Sequence, residues 1–142
     1  MKPEDRIKNW HLFTDKFGND YRLHDAVVKR FDHNMDSLTI QINTLYDWED
    51  GKVYDISFRF SNLISVSYEA EIGADYIYGL EVKMDEYYKN LFVFSFDGLC
   101  LDIRCFQIEV VSIVESEPFQ RGMIQLEDAD QTAESYGMLW RS

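Results

Sequence analysis

Apolar residues recur at every second position, run after run, and nothing else in this chain constrains its fold as strongly. Leu38, Ile40 and Ile42 alternate with Thr39, Gln41 and Asn43. Tyr54, Ile56, Phe58 and Phe60 alternate with Asp55, Ser57, Arg59 and Ser61, and Ile64, Val66, Tyr68, Ala70 and Ile72 with Ser65, Ser67, Glu69 and Glu71. Successive side chains of a strand point to opposite faces, so these runs describe strands with one buried and one wet face. Phe92, Phe94 and Phe96, then Asp97-Gly98, then Leu99, Leu101 and Ile103 read as a hairpin with a two-residue type I′ turn. Residues 23–31, 76–84 and 106–114 supply three more strands. About eight short strands predict a mainly β fold, an antiparallel meander forming a sandwich or open barrel.

The ends of the chain change period. Pro3, Glu4 and Asp5 suit a first helical turn, and Ile7, Trp10 and Phe13 follow at helical spacing before a Gly18-Asn19-Asp20 turn. This predicts a short N-terminal helix. Leu126, Ala129, Ala133, Tyr136 and Trp140 also fall at helical spacing, although Gly137 weakens the pattern. Residues 115–134 carry six acids and one base, so a solvated helix and a disordered tail both stay open. The expected organisation is a single β-rich domain over residues 1–118 with an acidic extension over 119–142, helical in one reading and packed on the same domain.

A chain of 142 residues holds one core without staples. No apolar run approaches the roughly 20 residues of a membrane helix, and the polar start Met1-Lys2-Pro3-Glu4-Asp5 has no signal-peptide core. The expected compartment is the cytoplasm. Cys100 and Cys105 would stand about 16 Å apart on one strand, too far for a disulfide, and read as buried structural thiols. With 26 acids against 14 bases the net charge is −12. Such a surface repels nucleic acid and anionic membranes and favours a cationic partner or simple solubility.

Motifs for chemistry are thin. His24-Asp25 matches the doublet of metal-dependent HD phosphohydrolases, but neighbouring strand residues point apart and only His11 and His33 remain as further histidines. Asp32, Asn34 and Asp36 match the start of a calcium loop, yet Ser37 and Asn43 stand where its glycine and glutamate belong, which leaves a polar turn. There is no nucleophile elbow, zincin motif or phosphate loop. No catalytic residue, metal or cofactor is assigned.

Acids interleaved with aromatics are the remaining signal. They occur in Tyr46-Asp47-Trp48-Glu49-Asp50, in Asp75-Tyr76 with Tyr78, and in Asp85-Glu86-Tyr87-Tyr88. Tyrosine and tryptophan dominate interface hot spots, and surrounding acids steer a basic partner. On an alternating strand Tyr76, Tyr78, Leu80, Val82 and Met84 would instead share a core face. The His24-Asp25 start, the runs Leu38 to Ile42 and Tyr54 to Phe60, and the Phe92–Leu99 hairpin together resemble small β-rich bacterial proteins of unassigned function. Some of these resemble immunity proteins of polymorphic or contact-dependent toxin systems. The resemblance spans residues 21–114 and carries no site residue over. It implies a protein that binds and neutralises a toxin domain, many of which are basic nucleases. Three functions are therefore expected in this order: a non-enzymatic acidic binding protein, a small-molecule-binding β-barrel or enzyme, and a structural homodimer subunit.

Overall fold

The computed structural model describes residues 2–46, 50–69 and 76–119. Among them six strands form one antiparallel sheet: β1 Val27–His33, β2 Ser37–Asn43, β3 Val53–Ser67, β4 Gly79–Met84, β5 Phe92–Asp97 and β6 Leu101–Ser116. Their order is β1-β2-β3-β6-β5-β4. Two three-stranded meanders are thus joined along β3 and β6. The fold is mainly β, as the alternation predicts. The acidic extension proposed for 119–142 lies outside the described residues from 120 onward, as do Ala70 and Ile72 of the third apolar run.

Six strands replace eight because two expected breaks are bends. The strand of 54–60 and the one starting at Ile64 are a single β3, and those of Leu99–Ile103 and 106–114 are a single β6. The register of β3 against β6 jumps between Leu63↔Cys105 and Ser65↔Arg104, leaving Ile64 as an extra residue. It jumps again between Ser57↔Ser112 and Phe58↔Val110, leaving Val111 over. Such bulges strengthen twist without ending a strand. The extra residues leave the core, so Ile64 is 59% exposed despite its place in an apolar alternation.

The doubly bulged β3/β6 ribbon curls the sheet until the segments entering its two edge strands meet. The Asp25 N–H donates to the Ile77 carbonyl at 2.7 Å and the Ile77 N–H to the Ala26 carbonyl at 2.8 Å. The result is an open barrel closed at one corner. Phe58, Phe60, Phe94 and Phe96 fill it, with Phe60–Phe94 and Phe94–Phe96 meeting edge to face at centroid distances of 4.9 and 5.0 Å. That is the arrangement the ring quadrupole favours.

The N-terminal segment packs onto this core in two pieces. A 3-10 turn, Pro3–Arg6, takes the proline, and the helix α1, Trp10–Phe17, begins only later. The expected single helix is interrupted because Lys8 pairs its main chain with β6, donating to Ile108 and accepting from Val110, both at 2.9 Å. Asn9 then turns left-handed at φ 61°. Helix α1 buries Phe13 and Phe17 against the barrel, and Phe13 also stacks on Trp10 at 4.6 Å.

The β5–β6 hairpin exists, but its loop differs from the expected type I′ turn. Phe96 pairs with Leu101, so four residues intervene. Leu99 is fully buried, and its N–H reaches the Phe96 carbonyl at 3.4 Å. Tucking Leu99 into the core needs the longer loop. Gly98 stands at φ 96°, where a Cβ would lie 2.6 Å from the Tyr76 carbonyl oxygen. Gly98→Ala should therefore cost about 1–3 kcal/mol in urea unfolding, and an unchanged midpoint would refute that contact. The cysteines also divide: Cys105 is buried, which pushes its thiol up to about 12, whereas Cys100 is exposed in the loop and is not a buried structural thiol.

Candidate functional site

Helix α1 stops at Gly18, which leaves the helix at φ 86°. The chain then wraps the barrel mouth toward β1. Between this segment, the start of the β2–β3 connection and the entry to β4 lies a cleft of about 730 Å³. Asp20, Tyr21, Arg22, His24 and Asp25 line it from one side, and Thr44, Tyr46 and Tyr78 from the others.

Its walls are held in strained backbone. Leu23 and Asp25 have φ 61° and 68°, and Leu45 has φ 63°. Side chains with a Cβ avoid this region unless surrounding structure imposes it, and such strain gathers at functional sites. The cause at Leu23 and Leu45 is visible. Leu23 is buried without exposure and accepts the Ala26 N–H at 3.1 Å in a tight turn. Leu45 donates its N–H to the Asn43 Oδ1 at 2.9 Å.

Asn43 is the anchor of this wall. It is fully buried, and its Nδ2 donates to Asp55 Oδ1 at 2.8 Å and to the Glu117 carbonyl at 2.9 Å. Its Oδ1 also accepts the Phe119 N–H at 3.1 Å. Asp55 is itself paired with Lys29 Nζ at 2.8 Å. The period-two pattern assigns Asp55 to the wet face, yet it is 6% exposed. An asparagine ending one strand opposite an aspartate starting the next was the only sequence signal for the cluster.

Inside the cleft Tyr21 stacks on Phe17 at 4.8 Å. Burial, with a smaller push from the Asp25 charge, raises its phenol to about 12, so the hydroxyl keeps its proton at neutral pH. His24 Nδ1 lies 3.0 Å from Asp25 Oδ2. Alternation along a strand would put these two on opposite faces. They instead precede β1, where the left-handed turn at Asp25 swings the carboxylate back to the ring.

The acid–aromatic clusters are only partly brought together. Tyr46 is 56% exposed at the cleft, while Asp47, Trp48, Glu49 and Asp75 lie outside the described residues. Tyr76 and Tyr78 do not join the core face of Leu80, Val82 and Met84; both stand exposed before β4 begins. Asp50 is engaged within the chain. It accepts the Tyr54 hydroxyl and the Lys52 N–H and lies 3.5 Å from Lys16 Nζ, and these hold its carboxyl below the usual carboxylate range.

Asp85 is likewise engaged within the chain. It accepts the N–H groups of Tyr88 and Tyr87 at 2.8 Å and the Arg104 guanidinium at 2.8 Å, which lower its pKa. Glu86, Tyr87 and Tyr88 project into water from this β4–β5 loop, with Tyr87 87% exposed, and none of them lines the cleft. Sequence reasoning missed Asp20, Tyr21 and Arg22. The Gly18-Asn19-Asp20 stop was the available signal that this segment turns over the barrel mouth.

Among the described residues no three His, Cys, Asp or Glu side chains gather to hold a metal, and no helix is long and apolar enough to cross a membrane. No family model, curated protein or solved structure matches the chain.

Proposed function

We propose that this chain is a non-enzymatic, acidic protein-binding domain that takes a basic partner at the Tyr46–Tyr78 cleft, as an immunity protein would cover a cationic toxin domain. The observation that carries this reading is the meeting of exposed tyrosines from two distant loops in one cleft beside Asp20 and Asp25. Hot spots have this composition: rigid aromatic surface, with charge at the rim for steering. The net charge of −12 adds long-range attraction for a cationic surface. In the sequence Asp47, Trp48 and Glu49 follow Tyr46, and Asp75 precedes Tyr76.

The test is a pull-down from the source cell extract, with toxin expression induced, at low and high salt. Wild type should retain one stoichiometric basic protein that salt releases. Tyr46→Ala and Tyr78→Ala should each weaken it at least tenfold, and Asp47→Lys with Glu49→Lys should slow association. Asp50 is left alone because its reversal would disturb Tyr54 and Lys16. Retention of the same protein by both tyrosine variants, whatever the salt, would sink the proposal.

One observation favours a second reading, a small-molecule site at the barrel mouth. The cleft volume lies in the range of ligand pockets, and the paired His24 and Asp25 line it with Tyr21 and Arg22. A compound that stabilises wild type but not His24→Ala, with no protein partner captured, would favour that alternative.

A further inference from the structure

A second cleft, of about 320 Å³, lies where the N-terminal segment crosses β6. Its composition inverts that of the chain. Arg6, Lys8 and Arg59 line it with Glu109 as the single carboxylate, whereas the whole sequence holds 26 acids to 14 bases. Glu109 is shared, standing 3.3 Å from Arg59 and 3.9 Å from Lys8. Arg6 donates to a neutral acceptor, the Asn90 amide oxygen at 3.2 Å. Three cations against one carboxylate leave a formal charge of +2.

Each cation stands on separately fixed backbone. Arg6 ends the 3-10 turn, Lys8 is pinned by its two main-chain bonds to β6, and Arg59 lies in the middle of β3. Each arginine bonds through one Nη, and a guanidinium carries five donors in a planar fork. Phe106 adds an aromatic wall that is 37% exposed, and Ser61 adds a hydroxyl. Like-charged side chains held together on rigid elements, next to an open ring, form a receptor for a compact anion.

We infer that this cleft binds a phosphate monoester with a small apolar or aromatic body. The dianion balances the excess charge of two, the guanidinium forks match its oxygens, and Phe106 faces the body. This site is separate from the tyrosine cleft and stands whether or not that cleft binds a protein.

The experiment is a titration of the full chain with inorganic phosphate and with phenyl phosphate, followed by amide shifts and calorimetry. Phenyl phosphate should saturate, shift the amides around Lys8, Ser61 and Gln107, and weaken with added salt. It should bind up to about tenfold more tightly than inorganic phosphate through ring contact. Arg6→Gln with Arg59→Gln should weaken it at least tenfold. Glu109→Gln should tighten it, and this variant decides the matter even if the double arginine change impairs folding. Equal affinity for the two probes would overturn the ester and leave the free ion as ligand. No saturable binding, or binding indifferent to Glu109→Gln, would overturn the site.

Discussion

Phe94→Ala should lower the unfolding free energy by about 3–5 kcal/mol, the largest loss expected from any single truncation here. Phe94 is fully buried at the centre of the barrel, with ring centroids of Phe60, Phe96 and Phe58 at 4.9, 5.0 and 5.8 Å. Its register partners Val82 on β4 and Ile103 on β6 wall it on both sides. Strands fixed at both ends cannot collapse into the space, so the cavity term adds to the lost transfer energy. The void would be lined by Phe and Ile side chains, stay dry, and accept benzene. Urea unfolding gives the stability loss, and benzene should recover part of it in the variant while leaving wild type unchanged. A near-neutral Phe94→Ala would mean the interior is not packed as described. The result also bears on function, because a filled interior leaves any ligand of this fold to the mouth or the outer surface.

How far the sequence foretells this molecule follows from what alternation encodes. Period two reports which face a residue takes, and it correctly buries Leu38, Ile40, Ile42, Tyr54, Ile56, Phe58, Phe60, Phe92, Phe94 and Phe96. It carries no information on whether a strand ends or bulges. Asn62 at φ 56° looks like a turn residue yet sits inside β3, and Ile64 continues the apolar pattern while standing in water. The tyrosine cleft was legible in part. Tyr46 and Tyr78 were visible as aromatics among acids, but their meeting depends on the long β3/β6 ribbon curling the sheet edges together, a non-local event. At Asp50 and Asp85 the limit is the converse. Their acidity is local and readable, whereas the partners that occupy them, Tyr54 with Lys16 and Arg104 with the Tyr87–Tyr88 backbone, belong to the fold.

Asn43→Ala should cost about 2–4 kcal/mol, more than its volume explains. The side chain makes four hydrogen bonds, to Asp55, the Glu117 carbonyl, the Leu45 N–H and the Phe119 N–H. Its removal leaves the Leu45 and Phe119 N–H donors and the Glu117 carbonyl without this partner, and leaves Asp55, among the described residues, with Lys29 as its side-chain partner. Asn43→Leu separates hydrogen bonding from packing: it fills the space but satisfies none of these groups, and should be at least as damaging as alanine. Asn43→Asp brings a second carboxylate beside Asp55 and should be less stable at neutral pH than in mild acid, where one proton relieves the pair. A urea midpoint that falls at constant slope would place the loss in the folded state's stability. The same side chain holds Leu45 left-handed, and Leu45 sets the direction of Tyr46. Under conditions where both variants are fully folded, Asn43→Ala should therefore weaken capture of the proposed basic partner, whereas Phe94→Ala, which does not line the cleft, should not. Equal capture by the two would break the link from this buried amide to the tyrosine rim and leave Asn43 a stabilising residue alone.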